Sequence, residues 1–443
     1  MEIHNDEIRR LIRETYRIEE VEAITRLLED RRTFSFPELA NGLFPAANLA
    51  EKAAYTGYGN VWVRDNVFVA LAHHLNGRDD SAVRTVQTLA HFFTIHRWRL
   101  EKIISGELDY HEPMNRPHIR FNGVDLSVLK EKWSHAQNDA LGYFVWLFCR
   151  LANDRRLTPS QSELHLMALF ASYWMTIRYW EDEDSGHWEE KRKIEASSIG
   201  VVVGALREMR GLIHGQSHET EGHRPDSESL LELIESLLRR GEACLNDILP
   251  DECVQKDEAK RRKFDSALLF LLFPMAVAPA GTADQILANT LAHLKGKFGI
   301  KRYLGDSFWA PDYKKRLSPS VRTVDASDAI EARNRLAVPN QEAEWCIFDP
   351  IVSVIYGQRF RKSKDKADFK LQCEYFSRSL GQLTEEDNEC GGFKCPELYY
   401  LESGRYVVND TVPLLWTQAN LWMATKFLSD NALLNDTGRD GAP

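Results

Sequence analysis

Along most of this chain, apolar residues recur at the three-to-four-residue spacing that is typical of amphipathic helices. In residues 6–29, for example, Ile8, Leu11, Ile12 and Tyr16 follow this spacing. Runs of the same kind predict helices at residues 65–75, 82–102, 136–151, 159–180, 197–209, 227–249, 263–275, 283–295, 348–360, 366–380 and 413–428.

Alternation of apolar and polar residues, which predicts strands, is scarce, and the clearest case is Arg405–Val408. Three stretches rich in Gly, Pro and polar residues, Gly215–Asp226, Asp306–Val324 and Thr384–Pro396, break the periodic pattern. We expect an all-α fold with about a dozen helices. Long irregular connections between helices commonly carry function, which directs attention to these loops.

The chain has 443 residues, which is long for one domain, yet no linker divides it. We expect a single domain over residues 51–430, an N-terminal helical segment over 1–50 packed on it, and a flexible tail over 431–443. The apolar run at 267–280 is too short for a membrane span and contains Pro274 and Pro279. The first residues show no signal-peptide pattern, so we expect a cytoplasmic protein without a membrane partner.

The composition indicates which kinds of ligand and partner this chain can bind. The formal net charge of −10 argues against nucleic acid as a partner, because phosphate contacts need clustered basic residues. The 7 cysteines are scattered, and the spacing of Cys390 and Cys395 does not match a zinc site. We therefore expect no metal. The 11 tryptophans either fill the core or offer flat apolar faces to sugar rings.

Two segments combine tryptophan with polar groups at the start of a predicted helix. Trp62, Arg64 and Asp65 place an apolar face beside a hydrogen-bond donor and an acceptor, a set that can hold sugar hydroxyls. Trp133 precedes Gln137 and Asp139 in the second segment, followed by a long apolar helix. The alternative interpretation is a surface ion pair in the first case and a helix N-cap in the second.

Two further segments contain candidate general acids and bases. Glu189 and Glu190 follow Trp188, and a carboxyl group held against an indole has a raised pKa that suits a general acid. Glu397 lies among Pro396 and apolar residues, where a buried carboxylate needs partners. The alternative for each segment is an exposed acidic loop.

A fifth segment, residues 299–309, combines Arg302, Tyr303 and Asp306 with Trp309. Charged and aromatic side chains again stand together in it. By itself the segment is also typical of a basic surface turn.

Taken in order, these segments resemble the glucoamylase family, glycoside hydrolase family 15, and most closely its branch similar to the α and β subunits of phosphorylase kinase. The resemblance covers roughly residues 55–428. It is carried by Trp62–Asp65, His118–Gly123, Trp133–Asp139, Trp188-Glu189, Arg302–Asp306, Pro396-Glu397 and Pro413–Ala419.

The resemblance implies a single (α/α)6 toroid with functional loops at one end and an exo-acting, inverting hydrolase of α-glucosides or malto-oligosaccharides that needs no cofactor. Glu189 would be the general acid and Glu397 the general base, with their carboxyl groups about 6.5–9.5 Å apart. The implied substrate-binding residues are Trp62, Arg64, Asp65, Trp133, Gln137, Asp139, Trp188, Glu190, Arg302, Tyr303 and Trp309. Glu344 and Trp345 are further candidates.

This chain also departs from the family pattern. Lys191–Lys193 follow the acid motif where a glucoamylase usually has small polar residues, and the Arg302 segment continues into Phe308-Trp309. The identity of the glucoside therefore stays open. The alternative hypothesis is a catalytically silent, glycan-binding regulatory protein, and a third hypothesis is a phosphorylase. The presence of both Glu189 and Glu397 favours the hydrolase over these two.

Overall fold

The computed structural model describes residues 2–48, 55–219, 225–325, 327 and 330–437, and in these ranges most of the predicted helical segments form helices. The helices are α1 (Asp6–Leu11), α2 (Ile18–Asp30), α3 (Val63–Leu75), α4 (Asp79–Ile95), α5 (Trp98–Ile104), α6 (Asn138–Asn153), α7 (Gln161–Ile177), α8 (Ala196–Glu219), α9 (Pro225–Ile248), α10 (Ala280–His293), α11 (Tyr313–Arg316), α12 (Pro319–Arg322), α13 (Ile330–Asn334), α14 (Phe348–Ser363), α15 (Lys366–Gly381) and α16 (Leu415–Thr437).

Alternate helical elements along the chain form a closed inner ring. Going round it, α3 packs on α6, α6 on α8, α8 on the 3₁₀ helix Ser266–Leu271, that helix on α14, α14 on α16, and α16 back on α3. The intervening helices α4, α7, α9, α10 and α15 lie outside, and α2 packs on the outer side of α16. This arrangement is the expected (α/α)6 toroid.

Burial explains which helices lie inside. Helix α3 is buried without interruption from Val63 to His73, since helices of the inner ring have neighbours on several sides. Helix α2 buries only Val21, Ile24 and Leu28, which form one stripe. Apolar residues all round therefore mark an inner helix, and a single stripe marks an outer one.

Several helix predictions differ from the structure. Residues 6–29 form two helices because the chain turns to an extended conformation at Ile12. Residues 82–102 likewise divide at His96 between α4 and α5. The α-helix predicted over 263–275 is wrong: only the 3₁₀ helix forms, and Pro274, which lacks an N–H, follows it.

Three other predicted boundaries also differ from the structure. The surface loop expected at 215–226 overlaps the end of α8 and the start of α9, and residues 220–224 lie outside the described ranges. Helix α16 continues to Thr437, into the segment 431–443 expected as a tail, of which 438–443 lie outside the described residues. Helix α2 belongs to the outer ring, so the toroid begins within residues 1–50. None of the described helices is both long and apolar enough to cross a membrane.

Two small antiparallel sheets lie at the end of the toroid where inner helices begin. Strand β1 (Val61–Trp62) pairs with β2 (Arg120–Phe121) and leads directly into α3. In the second sheet, β3 (Glu344–Trp345) pairs with β4 (Leu398–Glu402), which pairs with β5 (Arg405–Val408). Strand β5 is confirmed at its predicted bounds. The two sheets bring the loops of distant segments to one end of the ring.

Candidate active site

A cavity of about 910 Å³ opens at this end of the toroid. Three kinds of side chain line it: the carboxylates Asp65, Glu189, Glu190, Asp325 and Glu397, the cations Arg64, Arg302 and Arg333, and the aromatic residues Tyr58, Trp62, Trp133, Trp188, Phe308, Trp345 and Trp416.

Glu189 is positioned by a tight turn that precedes α8. The 3₁₀ turn Gly186–Trp188 ends at Glu189, whose backbone is left-handed with φ 58°. Gly186 is required in this turn, because a Cβ there would lie 1.5 Å from a carboxylate oxygen of Glu195. The turn therefore holds the Glu189 side chain at the cavity wall.

One carboxylate oxygen of Glu189 receives both of its hydrogen bonds from side chains. Trp62 Nε1 donates to Oε1 at 3.0 Å and Gln137 Nε2 donates to the same atom at 3.3 Å. Burial raises the pKa of Glu189, while nearby Arg64 and these donors oppose the rise. No hydrogen bond from the described residues reaches Oε2, which is left for a ligand.

Glu397 is held differently, at the start of β4. Its backbone N–H donates to the carbonyl of Thr411 at 3.1 Å, and its own carbonyl accepts from the N–H of Cys346 at 2.9 Å. Tyr58 donates its hydroxyl to Oε1 at 2.8 Å, and Asn409 Nδ2 donates to Oε2. Burial raises the pKa of Glu397, and the hydrogen bonds from Tyr58 and Asn409 counteract that rise.

Arg64 and Asp65 occupy the first turn of α3, but they do not pair with each other through hydrogen bonds. Arg64 Nε donates to Asp139 Oδ2 at 2.8 Å, and Nη2 donates to Gln137 Oε1 at 2.6 Å. Asp65 is buried, and this burial raises its pKa to about 7 although the charge of Arg64 opposes the rise. Gln137 thus connects Arg64 to Glu189.

A second group of buried charged side chains also lines the cavity. Arg302 donates to both carboxylate oxygens of Asp306, at 2.7 and 2.6 Å, and to Glu190 at 3.3 Å. Arg302 lies over Trp188, 5.2 Å from the ring centroid. Burial alone would raise the pKa of Glu190, but the charges of Arg262 and Arg302 lower it to about 2. Glu190 is therefore an anion in the wall of the cavity.

The structure brings most of the predicted site residues to the cavity and places others behind it. Trp62, Arg64, Asp65, Trp133, Trp188, Glu189, Glu190, Arg302 and Glu397 line the cavity, as does the further candidate Trp345.

Four predicted substrate-binding residues do not line it. Gln137 and Asp139 lie beneath Arg64 and orient it. Tyr303 donates its hydroxyl to Glu190 from behind. Trp309 is 1 % exposed and packs on Tyr400 in the core. Hydrogen bonding and packing account for these tryptophan and polar side chains better than contact with a substrate does.

Glu344, a further candidate, also lies away from the cavity. Its Oε2 accepts the backbone N–H groups of Phe298 and Gly299, at 2.6 and 3.1 Å. This carboxylate therefore holds a turn.

Sequence reasoning gave no site role to several residues that line the cavity or contact its lining. Tyr58 and Asn409 hold Glu397, and the β4–β5 hairpin that returns Asn409 to Glu397 is the signal that pointed to it. Arg120 lies over Trp133, 4.1 Å from the ring centroid, and its buried Nε has no hydrogen-bond partner within the described ranges. Phe308 and Trp416 lie in two of the segments that carry the resemblance, whereas Asp325 and Arg333 come from segments whose approach no local pattern indicates.

Among the described residues, one buried group has atoms close enough to hold a cation. Ligand atoms of Glu195, Glu252 and Cys253 all lie within 4.8 Å of one another. Lys193 already pairs with Glu195 at 3.1 Å, and Ser197 donates its hydroxyl to Glu252 at 2.6 Å. These carboxylates have protein partners, and the group lies outside the lining of the cavity.

Comparison with known proteins adds to this geometry. The model of the family "Glycosyl hydrolases family 15" matches residues 30–419. A probable phosphorylase b kinase regulatory subunit alpha of Drosophila melanogaster is 26 % identical to this chain; the match covers 91 % of this chain and 32 % of the relative. The protein of the same description from Caenorhabditis elegans is 23 % identical, and that match covers 82 % of this chain and 30 % of the relative. The chain thus spans about a third of the length of these curated relatives.

Solved structures share the fold. A glycosidase variant in complex with glucose is 16 % identical and covers 97 % of this chain and 98 % of its own, with a TM-score of 0.58. A glucoamylase of Saccharomycopsis fibuligera is 12 % identical and covers 94 % of this chain and 97 % of its own, with a TM-score of 0.59. The toroid, the cavity at its loop end and the family match together establish that this chain belongs to glycosyl hydrolase family 15.

Proposed function

We propose that this protein is an inverting, exo-acting glycoside hydrolase that releases glucose from the non-reducing end of an α-glucoside or an α-glucan oligosaccharide. The observation that carries the proposal is the pair of buried carboxyl groups, Glu189 and Glu397, which line one cavity with different hydrogen-bond partners. Inverting hydrolysis needs one carboxyl group as an acid and a second, on the other face of the sugar, as a base.

Glu189 suits the role of general acid. Burial favours its neutral form, and Oε2 accepts no hydrogen bond from the part of the chain that the structure describes, so that atom can carry a proton to the glycosidic oxygen. General acid catalysis by a positioned carboxyl group contributes about 10²–10⁴-fold to rate. The donors on Oε1 fix the direction of the side chain without occupying the proton-bearing atom.

Glu397 suits the role of general base. Tyr58 and Asn409 donate to both of its oxygens, an arrangement that favours the ionised carboxylate. An ionised Glu397 would take a proton from a water molecule as that water attacks the anomeric carbon. The hydrogen bonds from Tyr58 and Asn409 would hold the Glu397 side chain at a fixed distance from a bound sugar.

The remaining lining residues fit the binding of a terminal glucose. Arg64 and Asp65 present a donor and an acceptor to neighbouring hydroxyls, and Arg302 presents a second donor across the cavity. Trp62, Trp133 and Trp188 offer aromatic faces to the ring. Holding the sugar in one orientation lowers the entropic part of the barrier.

An NMR time course with maltotriose, isomaltose and trehalose tests the proposal. We expect β-glucose to be released first from at least one of these substrates and release to be lost in Glu397→Gln. Release of glucose from maltotriose as the α-anomer would contradict inversion. Absence of release from every substrate would favour the alternative function.

That alternative is a catalytically silent, glycan-binding regulatory protein, and the similarity to kinase regulatory subunits over 91 % of this chain favours it. Such a protein needs the sugar-binding residues but neither carboxylate. Binding of maltotriose without turnover, unchanged by Glu189→Gln and Glu397→Gln, would support this function over hydrolysis.

A further inference from the structure

A second hollow adjoins the cavity and shares Glu190 and Ile330 with it. Its volume is about 980 Å³. Unlike the first cavity, it is lined by a cluster of basic side chains, Lys191, Lys193, Arg261, Arg262 and Lys263. We call it the basic hollow.

Two of these five cations are neutralised by the protein. Lys193 pairs with Glu195 at 3.1 Å, and Arg262 pairs with Glu190 at 2.9 Å and with Asp265 at 3.0 Å. These two side chains belong to the buried network that holds Glu190.

The other three, Lys191, Arg261 and Lys263, have no ion pair with any carboxylate in the part of the chain that the structure describes. Arg261 and Lys263 are exposed and Lys191 is half-buried. Two carboxylates lie near these three cations: Glu331, which is exposed at the start of α13, and half-buried Asp251, whose pKa the charge of Lys263 lowers against the effect of burial. The basic hollow therefore keeps an excess of positive charge in a chain whose formal net charge is −10.

Repulsion among three neighbouring cations is relieved when an anion binds between them. Guanidinium and ammonium groups are the side chains that bind phosphate best, through charge-assisted hydrogen bonds. The composition of the basic hollow thus fits a phosphate group and not a neutral sugar.

The position of the basic hollow relative to Glu189 indicates which part of a substrate reaches it. Lys191 is separated from Glu189 by Glu190 alone, and Glu190 forms the wall between the cavity and the hollow. A general acid protonates the leaving oxygen, so the leaving half of the substrate lies on the side of the acid. The basic hollow is therefore next to the leaving half.

We propose that the basic hollow binds a phosphate carried by the leaving half of the substrate, which makes phosphorylated α-glucosides the preferred substrate class. The inference rests on the proposed hydrolase function and names its substrate. The oxygen of a water molecule would bond to the anomeric carbon as the bond between that carbon and the glycosidic oxygen breaks. Glu397 would take the proton that the water loses, and Glu189 would protonate the glycosidic oxygen of the departing sugar phosphate.

The test compares maltose with maltose 1-phosphate, whose phosphate is on the leaving glucose, and isomaltose with its reducing-end phosphate. We expect kcat/KM for the phosphorylated member of the accepted pair to exceed that of the neutral member by about tenfold or more, the effect of one charge-assisted hydrogen bond. The ratio should fall in about 0.5 M salt, because salt screens exposed charges. The double variant Arg261→Ala/Lys263→Ala should bring the ratio close to one.

The matched control is Lys362→Ala/Lys366→Ala, which removes two charges at the far end of α14 and the start of α15. It should keep the ratio of the unmodified protein. A glucoside of glycerate, whose leaving half carries a carboxylate, separates a site for phosphate from a site for any anion.

A ratio at or below one in the unmodified protein, or a ratio unaffected by Arg261→Ala/Lys263→Ala, would overturn the inference while leaving the hydrolase function intact. If no member of either pair is hydrolysed, the hydrolase function fails, and calorimetric titration decides the inference by itself. Tighter binding of maltose 1-phosphate than of maltose, lost in the double variant, supports the basic hollow as a phosphate site, and equal binding contradicts it.

Discussion

The segments around Glu189 and Glu397 bring the same functional group to one cavity by different means. Glu189 follows a tight left-handed turn, and its hydrogen bonds from side chains reach only Oε1. Glu397 precedes a strand, and donors reach both of its oxygens. Burial raises the pKa of both, and the rise is opposed mainly by the charge of Arg64 at Glu189 and by hydrogen bonds at Glu397.

That difference indicates how one cavity can hold an acid and a base. A carboxylate whose two oxygens accept hydrogen bonds is stabilised in its charged form, whereas one with a free oxygen can keep a proton there. Arg64 contributes to the charge balance from beneath Glu189, where Gln137 connects the two. The comparison predicts that variants of the two segments move different limbs of the pH profile.

The largest expected effect comes from removing each carboxyl group. Glu189→Gln and Glu397→Gln should each lower kcat for an accepted disaccharide by about 10²-fold or more. With α-glucosyl fluoride, whose leaving group needs no proton, Glu189→Gln should retain most of its activity and Glu397→Gln should not. Equal losses of the two variants on the fluoride would remove the distinction between acid and base.

The next effect concerns the acidic limb of the pH profile. Tyr58→Phe removes a donor that favours ionised Glu397, so its pKa rises further and the base becomes protonated at a higher pH. Activity on the acidic side should fall by about tenfold, with the limb displaced upward. The measurement is kcat/KM against pH, and an unmoved acidic limb would count against Glu397 as the base.

A smaller effect is expected on the alkaline limb. Trp62→Phe keeps the ring but removes the N–H that donates to Glu189, so the pKa of Glu189 rises and the acid stays protonated to a higher pH. The alkaline limb should move upward while the acidic limb stays in place. Trp133→Phe is the control, because Trp133 Nε1 has no hydrogen-bond partner among the residues that the structure describes. Movement of the limb in both variants would point to packing as the cause.

The smallest effect on catalysis is expected at Glu344, a buried carboxylate outside the cavity. Glu344→Gln weakens its bonds to the backbone of Phe298 and Gly299 and should lower the free energy of unfolding by about 1 kcal/mol. Activity should change less than twofold. A loss comparable to that of Glu189→Gln, in a folded protein, would show that burial and not position determines the effect of removing a carboxylate.

Sequence reasoning reached the fold because helical periodicity is local. The inner helices α6 and α14 and the outer helix α15 were predicted to within a few residues of their observed bounds. The segment 263–275 was misjudged because its apolar run has the composition of a helix, while Pro274 and the cap at Asp265 limit it to a 3₁₀ helix. Local composition does not distinguish these two outcomes.

In the candidate site, too, the sequence predicted some features and the tertiary structure decided others. The sequence by itself determined which segments contain carboxylates and tryptophans in the order of the family, and therefore indicated Glu189, Glu397, Arg64 and Arg302. Only the tertiary structure decided that Asp139 supports Arg64 and that Trp309 belongs to the core. Tyr58 and Asn409 meet Glu397 across 339 and 12 residues of chain, respectively. Such contacts depend on how the ring closes, because the position of a side chain relative to a distant segment is set by packing and not by its neighbours in sequence.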